Sequence, residues 1–236
     1  MKVTYPFLLL LACLCYAGCN DEMTQPEPPS PVPGNLLTYL ALGDSYTIGT
    51  SVRAEFRWPT QLAAAIERDT DLRFGEVQYV AQNGWRTDDL RAGIERTTLR
   101  ESYDLVSLLI GVNNQFQGRS VETYEPEFRE LLDRAIALAD GRTERVFVVS
   151  IPDYGFTRFG ESRGGGISEA IDAFNAAARA IAEAADVAFY DITPISRQGL
   201  DMPELVATDN LHPSGEQYRR WVDQVLLEPV IAQLRQ

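Results

Sequence analysis

The feature that most constrains the fold of this chain is a regular alternation, from residue 36 onward, of short apolar runs with longer amphipathic stretches. This pattern is typical of β-α units, and units joined by right-handed crossovers build a parallel sheet. We therefore predict an α/β fold, a three-layer α/β/α sandwich around a five-stranded parallel sheet. The predicted strands are residues 38–42, 78–81, 105–110, 146–151 and 187–190, and the predicted helices are residues 59–68, 88–97, 122–139, 168–184 and 214–234.

The N-terminus has a different character from the rest of the chain. A single Lys is followed by a Leu-rich apolar stretch over residues 6–16, which is shorter than the roughly 20 apolar residues of a permanent membrane span. Two small residues and Cys19 come next, so the sequence predicts a signal peptide over residues 1–18. Residues 16–19 resemble a bacterial lipobox, with Tyr16 where Leu or Val is usual. The alternative is a plain signal peptide cut near Gly18, which would release a soluble protein.

Residues 20–33 are polar and rich in proline, so they cannot bury a core and favour extended geometry. We interpret residues 19–35 as a lipidated Cys19 with its tether, and residues 36–236 as one catalytic domain. This organisation predicts an exported protein that contacts the membrane through a lipid anchor. Similarity to lipoproteins favours the bacterial outer membrane, with the domain in the periplasm or at the cell surface.

Charge and cysteine content exclude several classes of function. The chain has 21 Lys and Arg against 34 Asp and Glu, a net charge of -13, which indicates against nucleic acid as a partner. All three cysteines lie within the first 19 residues, so the domain has no thiol for a disulfide, a catalytic Cys or a zinc site. With one His in the whole chain, a zinc hydrolase is disfavoured.

Polar residues follow the predicted strands, at the sheet edge where parallel α/β proteins place their active sites. Gly-Asp-Ser at 43–45 follows the first strand, Asn-Gly at 83–84 the second, and Gly-Val-Asn-Asn at 111–114 the third. Asp-Asn-Leu-His at 209–212 precedes the last helix. These four segments hold the candidate catalytic residues.

His212 is the only histidine, and a lone histidine is ordinarily a surface or core residue. Here Asp209 lies three residues earlier, where its carboxylate can hold the imidazole and leave the other ring nitrogen free to take a proton from Ser45. Ser45 could instead be a helix N-cap, or serve both roles. The N–H groups of Ser45 and Gly84 and the side-chain amide of Asn113 are candidate oxyanion donors.

In order and approximate spacing, these four segments resemble the four blocks of the SGNH (GDSL-type) hydrolase superfamily. The resemblance implies a flavodoxin-like sheet of strand order 2-1-3-4-5 and metal-free ester hydrolysis, without a cofactor, through an acyl-serine intermediate. By position it makes Ser45 the nucleophile, Asp209 and His212 its partners, and Ser45, Gly84 and Asn113 the oxyanion donors. The chain departs from the pattern at Asn114, where the family usually has Asp, and we expect altered hydrogen bonding there with activity retained.

The sequence leaves the substrate open. A short acyl ester, such as an acetyl group on a carbohydrate, is the expected substrate, and the alternatives are a lipid or lysophospholipid esterase and an inactive binding module of the same fold. A Gly-rich segment at 160–166 lacks the features of a phosphate loop and is predicted to be a mobile loop. Five aromatic residues in loops either shape the pocket or only pack against each other: Trp85, Phe116, Tyr154, Phe156 and Phe159.

Overall fold

A five-stranded sheet lies at the centre of the domain, and all of its strands are parallel in the order β2-β1-β3-β4-β5. The computed structural model describes residues 1–2 and 36–236; the predicted signal peptide, Cys19 and the tether lie outside the described residues. Both the predicted fold class and the predicted strand order are confirmed. The strands are β1 (Tyr39–Gly43), β2 (Gln78–Ala81), β3 (Leu105–Leu109), β4 (Val146–Val149) and β5 (Ala188–Tyr190).

The three central strands are apolar along almost their whole length because helices cover both faces of the sheet. Every residue of β1, β3 and β4 is buried, whereas the edge strands β2 and β5 are mostly half-buried. At the carboxyl end of β1, Gly43 is level with Ala81 on one neighbour and Leu109 on the other. The segments that follow these three strands therefore leave the sheet side by side.

The helices form two layers around the sheet. One contains α2 packed against the C-terminal helices α9 and α10, and the other contains α3, α5 and α7. Four of the five predicted helices are present within one residue of their predicted ends, and the fifth, at the C-terminus, is interrupted. The helices are α1 (Ser45–Ile48), α2 (Trp58–Asp69), α3 (Thr87–Arg96), α4 (Val112–Phe116), α5 (Val121–Leu138), α6 (Arg158–Glu161), α7 (Ile167–Ala184), α8 (Thr193–Ser196), α9 (Gly215–Trp221) and α10 (Leu227–Leu234).

The C-terminal helix differs from the continuous helix predicted over residues 214–234. Ser214 is its N-cap, accepting a hydrogen bond from the Gln217 N–H at 3.2 Å, but a π-helical segment, Val222–Leu226, separates α9 from α10. Pro229 has no N–H to donate back into the preceding turn, which accounts for a change of hydrogen-bond register just before it.

The Gly-rich segment is not entirely a loop, since the short helix α6 includes its first two residues, 160 and 161. Within the described part of the chain, no helix combines the length and apolarity that crossing a membrane would require.

Candidate active site

Ser45 is the first residue of α1 and lies directly beyond the carboxyl end of β1. The close turn depends on Gly43, where a Cβ atom would lie 2.2 Å from the Thr47 hydroxyl oxygen and 2.4 Å from the Leu109 carbonyl oxygen. Ser45 is only 4% exposed. Its N–H occupies the first position of the helix, where a backbone donor has no acceptor within the helix.

The N-cap of α1 is Asp44, and the N-cap reading of Ser45 is wrong. The Asp44 carboxylate accepts a hydrogen bond from the Tyr46 N–H at 3.0 Å. Capping is therefore done by the preceding residue, which leaves the Ser45 hydroxyl available for another role. Burial raises the pKa of Asp44 from 3.8 to about 7, although the hydrogen bond from Tyr46 opposes this.

Asp209 and His212 form the pair that their spacing predicts. The Asp209 Oδ2 atom lies 2.7 Å from Nδ1 of His212, and its Oδ1 atom accepts hydrogen bonds from the N–H groups of Leu211 and His212, each at 2.9 Å. The turn between them is tight because Asn210 adopts a left-handed conformation with φ of 63°. The carboxylate thus fixes both the ring and the backbone of His212.

Ser51 also contacts this pair, and no sequence pattern pointed to it. Its hydroxyl donates to Oδ2 of Asp209 at 2.5 Å, the same oxygen that contacts the imidazole. Partial burial acts to raise the pKa of Asp209, but the hydrogen bonds from Ser51, from the backbone and ring of His212 and from the Leu211 N–H lower it from 3.8 to about 2. Asp209 is therefore ionised at neutral pH.

An ionised carboxylate can only accept hydrogen bonds, so Nδ1 of His212 carries the proton in this contact. In the neutral imidazole the other nitrogen, Nε2, then has a free lone pair. The ring is held by Asp209 on one side and by the edge of Tyr46 on another, with 5.7 Å between ring centroids. His212 is thus oriented as a general base.

Ser45 and His212 line the same pocket, which has a volume of about 220 Å³. Among the residues that the structure describes, no direct hydrogen bond joins the side chains of Ser45 and His212. Such contacts often tighten only when substrate binds. The pocket is lined by Ser45, Tyr46, Asn83, Val112, Asn113, Phe116, Tyr154, Phe159, Leu211 and His212.

The candidate oxyanion donors come from the segments after β2 and β3. The Asn113 amide nitrogen donates to the Trp85 carbonyl at 2.9 Å, which uses one of its two hydrogens and leaves one for a substrate. Gly84 has φ of 83°, a conformation that favours glycine, and no atom lies within 4 Å of where its Cβ would be. Its neighbour Asn83 lines the pocket and was not selected from the sequence.

Asn114 connects the segments that follow β2 and β3. This buried side chain accepts a hydrogen bond from the Thr87 N–H at 3.1 Å and donates to the Thr87 hydroxyl at 2.6 Å. The Thr87 hydroxyl in turn donates to Glu127. The Asn114 amide therefore joins α4 to the start of α3. Its N–H₂ group provides a hydrogen-bond donor where the usual Asp would have only acceptors.

Of the five loop aromatics, three line the pocket and two do not. Phe116, Tyr154 and Phe159 form one wall, with ring centroids 6.0 to 6.5 Å apart. Trp85 contributes its carbonyl to Asn113 instead of a pocket surface, and Phe156 lies outside the lining.

A family model, described as the GDSL-like lipase/acylhydrolase family, matches residues 41–220, which include Ser45, Gly84, Asn113, Asp209 and His212. The chain belongs to this family. It is accordingly a carboxylic ester hydrolase of the GDSL type. No curated protein matches its sequence.

Solved structures of a G-D-S-L family protein and of two esterases share the fold of this chain at low sequence identity. A lipolytic protein of the G-D-S-L family from Veillonella parvula is 20% identical with a TM-score of 0.59, over 78% of this chain and 93% of the other. The acetylxylan esterase Axe2 from Geobacillus stearothermophilus is 18% identical with a TM-score of 0.62, over 84% and 94%. The psychrotrophic esterase EstA from Pseudoalteromonas is 17% identical with a TM-score of 0.56, over 79% and 92%.

Proposed function

We propose that this GDSL-type esterase hydrolyses short acyl esters, such as acetyl groups on carbohydrates, through an acyl-Ser45 intermediate. The observation that supports the proposal is that His212, which is paired with Asp209, lines the same small pocket as Ser45. A volume of about 220 Å³ is below the roughly 300–1,000 Å³ of typical ligand pockets. This size favours a short acyl group over the long chain of a lysophospholipid.

In the proposed reaction, Ser45 Oγ attacks the ester carbonyl carbon while Nε2 of His212 accepts its proton. The negative charge that develops on the carbonyl oxygen receives hydrogen bonds from the N–H groups of Ser45 and Gly84 and from the Asn113 amide. The C–O bond to the alcohol then breaks, and the alcohol leaves with the proton from His212. Water repeats the same steps on the acyl-serine and releases the acid.

The test is turnover of 4-nitrophenyl acetate by the wild type and by Ser45→Ala. We expect the variant to lose turnover while its circular dichroism and melting temperature stay close to those of the wild type. A fluorophosphonate probe should label the wild type and not the variant, whereas an inactive binding module would not be labelled in either form. EDTA should leave the rate unchanged, because the proposed reaction uses side chains alone. Equal rates for wild type and Ser45→Ala would contradict the proposal.

We further propose that the esterase is exported and anchored to the outer membrane through a lipid on Cys19. Support comes from the lipobox-like residues 16–19 and the proline-rich segment after them. A Cys19→Ser variant should move from the membrane fraction to the soluble fraction and lose incorporation of labelled palmitate. If the wild type itself is soluble and cut near Gly18, the signal is a plain secretory one.

A further inference from the structure

The aromatic wall of the pocket carries a cation on its outer side. The Arg163 guanidinium carbon lies 4.6 Å from the ring centroid of Phe116 and 4.6 Å from that of Phe159. Both rings line the pocket that contains Ser45. A guanidinium stacked on two rings is held in place by cation–π attraction while its in-plane N–H groups remain available.

Arg163 has no competing partner in residues 36–236. Its side chain forms neither an ion pair nor a hydrogen bond there, although the whole chain has more carboxylates than cations. Arg86, a cation in the segment after β2, does have an ion-pair partner, because it donates to both carboxylate oxygens of Asp88 at 3.0 and 2.7 Å. Arg163 is therefore free to bind an anion that arrives with the substrate.

The wall below Arg163 is connected to the catalytic residues. The Phe159 N–H donates to the carbonyl of Asn210, between Asp209 and His212, at 3.1 Å. The Tyr154 hydroxyl donates to Gln115 of α4 at 2.9 Å. These two hydrogen bonds join the aromatic wall to the loop that contains Asp209 and His212 and to helix α4, so the rings beneath Arg163 are positioned relative to the pocket.

The lining of the pocket leaves no other positive charge to recognise an anion. The lining contains no Lys or Arg, and the rings of Phe116 and Phe159 give the wall an apolar surface. A protein with a net charge of -13 repels anionic substrates at long range. A local unpaired guanidinium counteracts this repulsion where the substrate enters, and guanidinium binds carboxylates with two parallel hydrogen bonds.

We propose that Arg163 binds a carboxylate of the substrate, so that the preferred esters carry one ionised carboxyl group close to the ester bond. This inference rests on the proposed esterase function. The carboxylate belongs either to the acid portion, as in a half-ester of a dicarboxylic acid, or to the alcohol portion, as in an acetylated hydroxy acid. In either case it sits beyond the aromatic wall while the carbonyl lies at Ser45.

Two matched substrate pairs test this. Mono-4-nitrophenyl succinate and 4-nitrophenyl butyrate differ by a carboxylate in the acid portion, and 4-acetoxybenzoate and its methyl ester differ by one in the alcohol portion. In one of the two pairs, Arg163→Ala should lower kcat/KM for the charged member by about fivefold, mainly through KM, with a change below about twofold for the neutral member. Added salt should reduce this preference in the wild type.

Two control variants separate charge from packing. Arg158→Ala removes an exposed positive charge from helix α6, which ends two residues before Arg163; Arg158 does not line the pocket with Ser45, so this variant should leave both ratios unchanged. Arg163→Lys keeps the charge without the planar stacking and should retain part of the preference. If Arg163→Ala changed kcat/KM equally for the charged and the neutral member of both pairs, the role of Arg163 would be refuted and the esterase function would stand. Absence of turnover of every ester by the wild type would refute the esterase function as well.

Discussion

The hydrogen bond from Ser51 to Asp209 allows a sharp test of how the catalytic pair is held. Ser51→Gly removes the hydroxyl and suits the backbone, because Ser51 has φ of 68°, where glycine is favoured. A hydrogen bond to a charged acceptor contributes about 1.5–3 kcal/mol in general. Because the Asp209 side chain is 30% exposed and Ser51 is exposed, solvent screening reduces this to about 1 kcal/mol.

The sign of the pH dependence follows from the depressed pKa of Asp209. A carboxyl group whose pKa is about 2 in the folded protein, against 3.8 ordinarily, adds stability that is present above about pH 4 and is lost as the pH falls toward 2. Without the Ser51 hydroxyl the pKa of Asp209 should rise toward 3.8. The free energy of unfolding of the variant should therefore be lower than that of the wild type near neutral pH, and the difference should be smaller in acid.

The assay is urea unfolding of the wild type and Ser51→Gly at about pH 6 and about pH 3. Any stability gained from the glycine backbone is the same at both pH values. The change in the stability difference between the two pH values therefore reports the contribution of the hydrogen bond. A looser Asp209 should also lower kcat/KM at neutral pH by about fivefold. Ser51→Asn retains an N–H donor and tolerates the left-handed backbone, so it should recover part of both effects. A stability difference that is equal at the two pH values, with Asn behaving like Gly, would refute the reasoning.

Three further predictions concern the residues around the nucleophile. Asn113→Ala should lower kcat by about 10²–10³, the usual effect of one oxyanion donor, with little change in melting temperature, which single-turnover kinetics and calorimetry would check. Asp44→Asn should gain stability relative to the wild type as pH rises from about 4 to about 7, because over this range the folded protein keeps Asp44 protonated while the unfolded chain ionises it. Thermal unfolding at the two ends of the range measures this gain. Gly93→Ala should lower both stability and activity, although Ala has the higher helix propensity. The new Cβ would lie 2.4 Å from the Trp85 ring, and the Trp85 carbonyl accepts a hydrogen bond from Asn113. The melting temperature and kcat of this variant test whether both quantities fall.

The sequence was sufficient for the fold because its strongest signals are local and periodic. The buried strands β1, β3 and β4 are continuous apolar runs, and the long helices carry amphipathic patterns. The short helices α1 and α4 were not predicted because four or five residues give too little periodicity. The π-helical break before Pro229 was missed because the apolar pattern continues through residues 214–234, although a proline inside a helix disrupts its hydrogen bonds.

The candidate site was predictable only in part. Asp209 and His212 are three residues apart, so their contact is a local property of one loop. Ser51 pairs with Asp209 across more than half of the chain, and its hydroxyl has no local pattern that distinguishes it from other exposed serines. The same limitation applies to Arg163, whose position over Phe116 depends on how two distant loops meet.

The chain has a single imidazole, and it is the one that shares the pocket with Ser45. In a proton NMR spectrum, the ring resonances of histidine therefore come from the proposed base alone, with no assignment needed. Its protonation can be followed directly during titration, inhibitor binding or accumulation of an acylated form. The chain therefore has a built-in spectroscopic reporter at the proposed general base.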